Sequence, residues 1–365
     1  MRLFVPGRVC LFGEHSDWAG GYRRANPGLE KGYTLICGTE EGIYADVLRH
    51  PRALVLNATT SDGEHHGPVS LPLDADALLA EAQGGGFWSY IAGTAYQVST
   101  RYRVAGLVLD NFRTTLPIGK GLSSSAAICV LTARAFGQMY GLGLSVRDEM
   151  ELAYLGETTT PSRCGRMDQG CAFGGQPALM TFDGDQLDVA ELVVGQDIPL
   201  ILVDLGAHKD TPRILRDLNR CFPDGQGEME RGVQQLLGPI NKRIVARAVG
   251  AIRAGNAQLL GALMTEAQSF FDRYALPACP GELIAPTLHW VLNHPALALH
   301  VWGGKGVGSQ GDGAAQFVAR SLADQQAAAD TVRRELGLSC LALTLRASTG
   351  GSGEPSRAVR GAAQA

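Results

Sequence analysis

The segment that most constrains this chain is a glycine- and hydroxyl-rich run at residues 117–127, PIGKGLSSSAA, which opens directly into a long apolar stretch. Residues 106–113 mix polar and apolar positions like a strand, and residues 126–140 carry apolar positions at helical spacing. The run therefore predicts a loop that joins a strand to a helix beginning at the serines. Backbone N–H groups at such a helix start, with the positive end of the helix dipole, bind phosphate oxygens.

Two interpretations of this run stay open when it is taken alone, because a glycine turn with serine N-caps before a buried helix gives the same pattern. The run is not a Walker A loop, whose lysine is followed by Ser or Thr. Here Gly121 follows Lys120, and Gly306 follows Lys305. A phosphate site at this position therefore indicates a different nucleotide-binding fold.

Three segments resemble the motifs of the GHMP kinases, the family that includes galactokinase, homoserine kinase and mevalonate kinase. Residues 117–126 resemble the family's phosphate loop, Pro-x-x-x-Gly-Leu-(Gly/Ser)-Ser-Ser-Ala. Residues 6–21, PGRVCLFGEHSDWAGG, are similar to the galactokinase signature, with Cys10 in place of asparagine. Residues 164–169, CGRMDQ, are similar to the family's Gly-x-x-Asp-Gln stretch. Three motifs in the family order are far more specific than any one of them.

The resemblance implies an α+β fold of two domains, with the active site in the cleft between them, and it implies ATP and Mg²⁺ as cofactors. It places ATP on the residues of the phosphate loop: Pro117, Gly119, Lys120, Gly121, Leu122, Ser123, Ser124, Ser125 and Ala126. It places Mg²⁺ at Ser125 and at Glu157, which stands eleven positions before Asp168. Mg²⁺ prefers one or two carboxylates together with phosphate oxygens and waters. Without that spacing, Glu157 would be read as part of a solvated helix face.

The resemblance also implies the catalytic pair. Asp168 is the expected base, since a carboxylate close to an alcohol accepts its proton as the bond to phosphorus forms. An N-cap role is the structural alternative for this aspartate. Arg8 is the expected cation, because arginine stays charged and bridges carboxylate and phosphate while steadying charge in the transition state.

A polar cluster follows the first predicted strand, and in galactokinases such residues hold sugar hydroxyls. Glu14, His15, Asp17 and Gly20 are therefore the predicted substrate-binding residues, because carboxylates accept hydrogen bonds from vicinal hydroxyls. A metal site or a plain polar turn remains the alternative, since the H-x-D spacing also ligates metal.

Two segments depart from the galactokinase pattern. Residues 22–32 form a charged stretch in which Arg23 and Arg24 either meet an anionic group of the substrate or form a solvated loop. The family's third, glycine-rich motif appears only as residues 303–315, GGKGVGSQGDGAA, with added polar groups. We expect Asp312 and Gln310 to be extra sugar contacts there.

Length and composition fit this class of protein. The chain has 365 residues and 45% hydrophobic content, which predicts two domains, at 1–185 and 186–348, with a flexible tail at 349–365. Eight scattered cysteines without C-x-x-C pairs argue against a zinc site and a secreted disulfide framework. A net charge of −4 indicates no nucleic-acid partner. The lack of a membrane-spanning run or leader pattern predicts a cytoplasmic protein. We expect it to be a monomer or a homodimer.

The expected activity is ATP-dependent phosphorylation of a sugar hydroxyl, most specifically the anomeric hydroxyl of a free monosaccharide. Kinases of the same family that act on a uronic acid, arabinose, a heptose phosphate or an inositol-type polyol are alternatives. A regulatory relative that binds ATP and sugar without turnover is an alternative from another class.

Overall fold

The computed structural model describes residues 1–116, 122–162, 164–207 and 209–348, and these residues build two β-sheets with helices packed on them. The expected α+β fold is therefore confirmed. The predicted tail at 349–365 lies outside the described residues, and so do four predicted ATP-binding residues: Pro117, Gly119, Lys120 and Gly121.

The first sheet takes seven strands: β1 (Arg2–Phe12), β2 (Gly32–His50), β3 (Ala53–Thr59), β4 (His65–Pro72), β5 (Gly106–Thr114), β6 (Ala178–Asp183) and β7 (Gln186–Glu191). The strand order is β4-β3-β5-β2-β6-β7, and β1 also pairs with β2. All pairings are antiparallel except that of β3 with β5.

Five helices accompany this sheet: α1 (Ser16–Gly21), α2 (Ala75–Gly84), α3 (Ser89–Ser99), α4 (Ser124–Tyr140) and α5 (Val146–Thr159). Two 3-10 helices lie at Tyr22–Arg24 and Asp168–Phe173. The sequence explains where α4 ends and where α5 begins. The αL residue Gly141 ends α4 with φ +63°. A reciprocal capping box between Ser145 and Asp148 begins α5.

The second sheet takes four antiparallel strands: β8 (Ile198–Asp204), β9 (Val301–Gly306), β10 (Ala314–Ala319) and β11 (Ser339–Leu345). Their order, β11-β8-β10-β9, is the 4-1-3-2 arrangement of a ferredoxin-like sheet. The helices of this half are α6 (Thr211–Cys221), α7 (Glu228–Gln235), α8 (Asn241–Ala254), α9 (Ala257–Tyr274), α10 (Pro280–Leu283), α11 (Pro286–Leu292), α12 (Pro295–Ala298) and α13 (Leu322–Arg334). A π-helical turn at Leu236–Ile240 precedes α8, and a 3-10 turn at Leu276–Ala278 follows α9.

One large apolar core spans both sheets, and a smaller core lies between the second sheet and α11 to α13. The predicted boundary after residue 185 falls within the turn of the β6–β7 hairpin. The chain passes from the first sheet to the second between Glu191 and Ile198, and the domain boundary stays a prediction. Among the described helices, none has the length and apolar character needed to cross a membrane.

Candidate active site

The site begins at an irregularity in β1. The pairing of β1 with β2 shifts register between Pro6 and Arg8. A Cβ on Gly7 would stand 2.9 Å from the carbonyl oxygen of Leu122, so only glycine lets the start of α4 approach the strand this closely. The backbone N–H of Arg8 donates to that same carbonyl at 3.0 Å. The strand and the end of the phosphate loop are therefore joined directly beside Arg8.

The structure brings the predicted base and the predicted cation together. The Arg8 guanidinium, almost fully buried, forms an ion pair with the Asp168 carboxylate and also donates to the hydroxyl of Ser123. Ser123 donates to Oδ1 of Asp168 at 3.1 Å. The side chain of Asp168 is 27% exposed, so one face of its carboxylate remains open to a ligand. Among the described contacts, every partner of Asp168 binds Oδ1, which leaves Oδ2 free.

The predicted metal ligands also meet. The hydroxyl of Ser125, in the first turn of α4, acts on the carboxylate of Glu157 near the end of α5 and favours its ionised form. Gln169 donates to Glu157 Oε2 at 2.8 Å. Burial, followed by the negative charge of Asp168, raises the pKa of Glu157 to about 7. A buried carboxylate beside a second one fits a cation placed between the protein and a phosphate.

The described residues contain no group of three or more His, Cys, Asp or Glu side chains able to hold a metal ion. The predicted ligands Ser125 and Glu157 would therefore supply only part of a metal's ligand set. This suits Mg²⁺, which usually retains waters and takes phosphate oxygens, rather than a metal held in an all-protein cage.

Asp17 lies near the predicted catalytic pair, Arg8 and Asp168. Burial raises the pKa of Asp17 to about 6, and the negative charge of Asp168 adds to the effect. The segment before Asp168 packs directly against this carboxylate, because a Cβ on Gly165 would stand 1.7 Å from Asp17 Oδ2. The carboxylates of Asp17, the predicted sugar-binding residue, and Asp168, the predicted base, are thus close enough for the charge of one to act on the other.

His15 is buried among aromatic rings and carries no charge near neutral pH. Its Nδ1 accepts from Nε1 of Trp18 at 3.2 Å, and its ring stacks on Phe271 at 6.0 Å between centroids. Burial lowers the pKa of His15 to about 4, with Lys209 and Lys305 adding to the effect. Because Nδ1 accepts the hydrogen bond from Trp18, the proton of the neutral imidazole ring is on Nε2.

Glu14 is engaged within the protein. Its carboxylate forms an ion pair with the ammonium of Lys305 from β9, and the two side chains are 6% and 2% exposed. Glu14 and Lys305 line a cavity of about 40 Å³ whose other walls come largely from α8, α9 and the π-helical turn. Glu14 therefore reaches a ligand only together with Lys305.

Two predicted substrate-binding residues are not brought to this cluster. Gly20 is a packing glycine: a Cβ there would stand 2.8 Å from the Cβ of Phe182, so α1 lies tightly against β6. Asp312 accepts from the backbone N–H of Leu288 at 2.8 Å and so caps the first turn of α11. Each of these residues thus has a local structural partner, and its role in substrate binding stays a prediction.

The charged stretch after α1 is likewise used within the protein. Arg23 donates through Nε to Asp183 at 2.6 Å and through Nη1 to the carbonyl of Pro27 at 2.5 Å. Arg24 forms an exposed ion pair with Asp185 at 2.6 Å. These arginines hold the segment against β6 and the turn after it, rather than presenting donors to a substrate.

Sequence reasoning missed three polar residues of the site. Gln169 positions Glu157, Lys305 pairs with Glu14, and Lys209 donates from Nζ to the carbonyl of Gln310 at 3.0 Å. The sequence pointed to two of them only indirectly. Gln169 directly follows Asp168 in the motif at residues 164–169, and Lys305 interrupts the glycine-rich run at residues 303–315.

The chain is similar to known proteins in sequence and in fold. Residues 89–175 match the family described as the GHMP kinases N terminal domain. The chain is 25% identical to the galactokinase of Thermococcus kodakarensis over 289 residues, which cover 73% of this chain and 76% of that one. By sequence and by fold, the chain is similar to the GHMP kinases. Its fold matches Lactococcus lactis galactokinase complexed with galactose (TM-score 0.68, 16% identity, 96% and 94% coverage) and Methanococcus jannaschii mevalonate kinase (TM-score 0.70, 14% identity, 96% and 98% coverage).

Proposed function

We propose that this protein is an ATP-dependent sugar kinase that transfers the γ-phosphoryl group to the anomeric hydroxyl of a free monosaccharide. The observation that carries the proposal is the placement of Asp168, bound through Oδ1 by Arg8, beside the carboxylate of Asp17. The resemblance in sequence to galactokinases supports a sugar as the acceptor.

Asp168 acts as the base. Its free Oδ2 accepts the proton of the sugar hydroxyl while the hydroxyl oxygen forms a bond to the γ-phosphorus and the bond to the leaving ADP oxygen breaks. Arg8 keeps the carboxylate oriented through Oδ1. Its Nε and Nη1 have no acceptor among the described residues, so Arg8 retains donors for an incoming phosphate oxygen.

The start of α4 receives the phosphates. The first-turn N–H groups of this 17-residue helix and the hydroxyl of Ser124 are donors at its positive end. Ser125 and Glu157 would hold Mg²⁺, which when bound neutralises charge on the β- and γ-phosphates. Gln169 fixes the orientation of the Glu157 carboxylate at that position.

The sugar is bound between Asp17 and the end of β1. Asp17 accepts hydrogen bonds from sugar hydroxyls, and the neutral His15 ring shapes the wall behind it. Glu14 contributes to sugar binding together with Lys305, with which it forms an ion pair. Because Asp17 and Asp168 are close enough to influence each other's charge, a sugar held by Asp17 presents a neighbouring hydroxyl to the base.

A coupled ADP-release assay with a panel of free hexoses, pentoses and uronic acids tests the proposal. We expect ADP release that depends on a free sugar, and phosphorus NMR of the product that places phosphate on the anomeric carbon. ADP release that requires a sugar phosphate or an isoprenoid acid, or a product phosphorylated at another carbon, would overturn it. Binding of ATP and sugar with no ADP released would instead indicate a regulatory protein.

A further inference from the structure

An asparagine from the second half of the chain holds the segment that carries Asp17. Asn241 begins α8, directly after the π-helical turn. Its Nδ2 donates to the hydroxyl of Ser16 and to the carbonyl of Tyr33, both at 2.9 Å. Ser16 is the first residue of α1 and immediately precedes Asp17 in the chain. One side-chain amide from the second half thus joins the start of α1 to β2.

Helix α1 depends on such outside contacts for its position. It has six residues, and its N-cap residue His15 has a φ of +67° and makes no side-chain capping hydrogen bond. A helix this short is not stable by itself in water. The buried hydroxyl of Ser16 also accepts from the backbone N–H of Tyr33 at 2.9 Å. Ser16 is therefore the point at which α1 is fixed both to β2 and to α8.

The position of Ser16 determines that of Asp17. A Cβ on Gly32 would stand 2.0 Å from the carbonyl oxygen of Ser16, so the glycine lets α1 and β2 approach each other closely at this point. Asp17 follows Ser16 in the chain, and its carboxylate is close enough to Asp168 for the charge of one to act on the other. A shift of Ser16 away from β2 would therefore move Asp17 relative to the predicted base.

We propose that Asn241 is a positioning residue for the acceptor: by holding Ser16, it keeps the carboxylate of Asp17 where it binds the sugar beside Asp168. The inference rests on the proposed function and adds a residue of the second half of the chain to sugar recognition. Asparagine suits this position because its amide carries two N–H donors, which match the two acceptors, whereas leucine of similar shape carries none.

A different contact holds the later part of α1. The ring of Trp18 packs edge-on against Phe222 of the second half, with 5.9 Å between ring centroids. This apolar contact follows Asp17 in the chain, whereas Asn241 acts before it. We therefore expect the loss of Asn241 to displace Asp17 without releasing the whole helix.

The test measures kcat and the KM values for ATP and for the most active sugar of the panel described above. Asn241→Leu should raise the sugar KM about tenfold and leave kcat and the ATP KM within about threefold of wild type, because sugar binding is weakened equally in the ground state and the transition state. Asn256→Ala is the matched control. Asn256 caps α9 by accepting from the N–H of Leu259 at 2.9 Å, so its loss should lower Tm but change neither KM.

A double-mutant cycle shows whether Asn241 acts through Ser16. Ser16→Ala removes the shared hydroxyl, so in that background Asn241→Leu should raise the sugar KM by less than about threefold. Fully additive effects, a sugar KM of Asn241→Leu close to that of wild type, or an equal rise in both KM values would overturn the inference while leaving the kinase activity established. If the wild-type protein releases no ADP with any sugar, the proposed function is wrong and the inference falls with it.

Discussion

Replacing Asp168 with asparagine separates its role as a base from its role in the structure. Asparagine keeps the shape of the side chain, and its Oδ1 still accepts from Arg8 and Ser123, so the local arrangement is preserved. It cannot take up the proton of the sugar hydroxyl. We therefore expect Asp168→Asn to fold and to bind ATP but to turn over sugar very slowly.

The expected magnitudes differ for rate and for stability. Removing a general base usually costs about 10²- to 10⁴-fold in rate, or roughly 3–5 kcal/mol in the activation barrier. Breaking a fully buried ion pair costs about 3–5 kcal/mol of stability. Asp168 is 27% exposed and its amide still accepts from Arg8, so we expect about 1–2 kcal/mol here. The loss of activity should thus far exceed what partial unfolding explains.

The assay measures kcat by coupled ADP release and the free energy of unfolding by urea titration on the same preparations. Asp183→Asn is the matched control, because Asp183 is 30% exposed and also pairs with an arginine, Arg23, at 2.6 Å. We expect this control to keep wild-type turnover. Turnover of Asp168→Asn within about threefold of wild type would refute the assignment of the base and leave Asp168 as a structural partner of Arg8; the N-cap position of this short helix belongs to Met167.

Three further predictions concern the metal, the pH dependence and the sugar pocket. Because burial and a neighbouring carboxylate raise the pKa of Glu157 to about 7, its ionised form opposes folding at pH 8. Glu157→Gln should therefore raise Tm at pH 8 without Mg²⁺ and yet raise the Mg²⁺ concentration needed for half-maximal turnover; unchanged Mg²⁺ dependence would contradict the metal assignment. Burial lowers the pKa of His15 from 6.5 to about 4, so the unfolded chain binds a proton below pH 6.5 that the folded chain does not. Stability is then lost between pH 6.5 and 4, by about 2 kcal/mol at pH 5, and urea titration should show a smaller loss in His15→Gln. Gly165→Ala places a Cβ 1.7 Å from Asp17 Oδ2 and should raise the sugar KM about tenfold or more with the ATP KM unchanged, whereas Gly250→Ala, with nothing within 4 Å of its Cβ, should leave both KM values unchanged.

Much of the local architecture follows from the sequence pattern. The segments predicted as a strand at 106–113 and a helix at 126–140 are Gly106–Thr114 and Ser124–Tyr140 in the structure. Alternation of apolar residues and helical spacing report which face of an element is buried, and glycine or serine marks where it ends. The motif residues Arg8 and Asp168 could be paired in advance because the family resemblance supplied their proximity.

The partners of the remaining site residues were decided by tertiary structure. Glu14 and Lys305 stand 291 positions apart, and their pairing exists only because the end of β1 meets β9 of the second sheet. The contacts of Asp312, which caps a helix, and of Gly20, which lets α1 lie against β6, could not be predicted from the sequence. The sequence names a charged or small residue but does not tell whether it lies in a pocket, at a helix end or in a packed contact. Its pKa, its partners and its access to ligand come from desolvation and from neighbours that are distant in sequence, which local patterns do not encode.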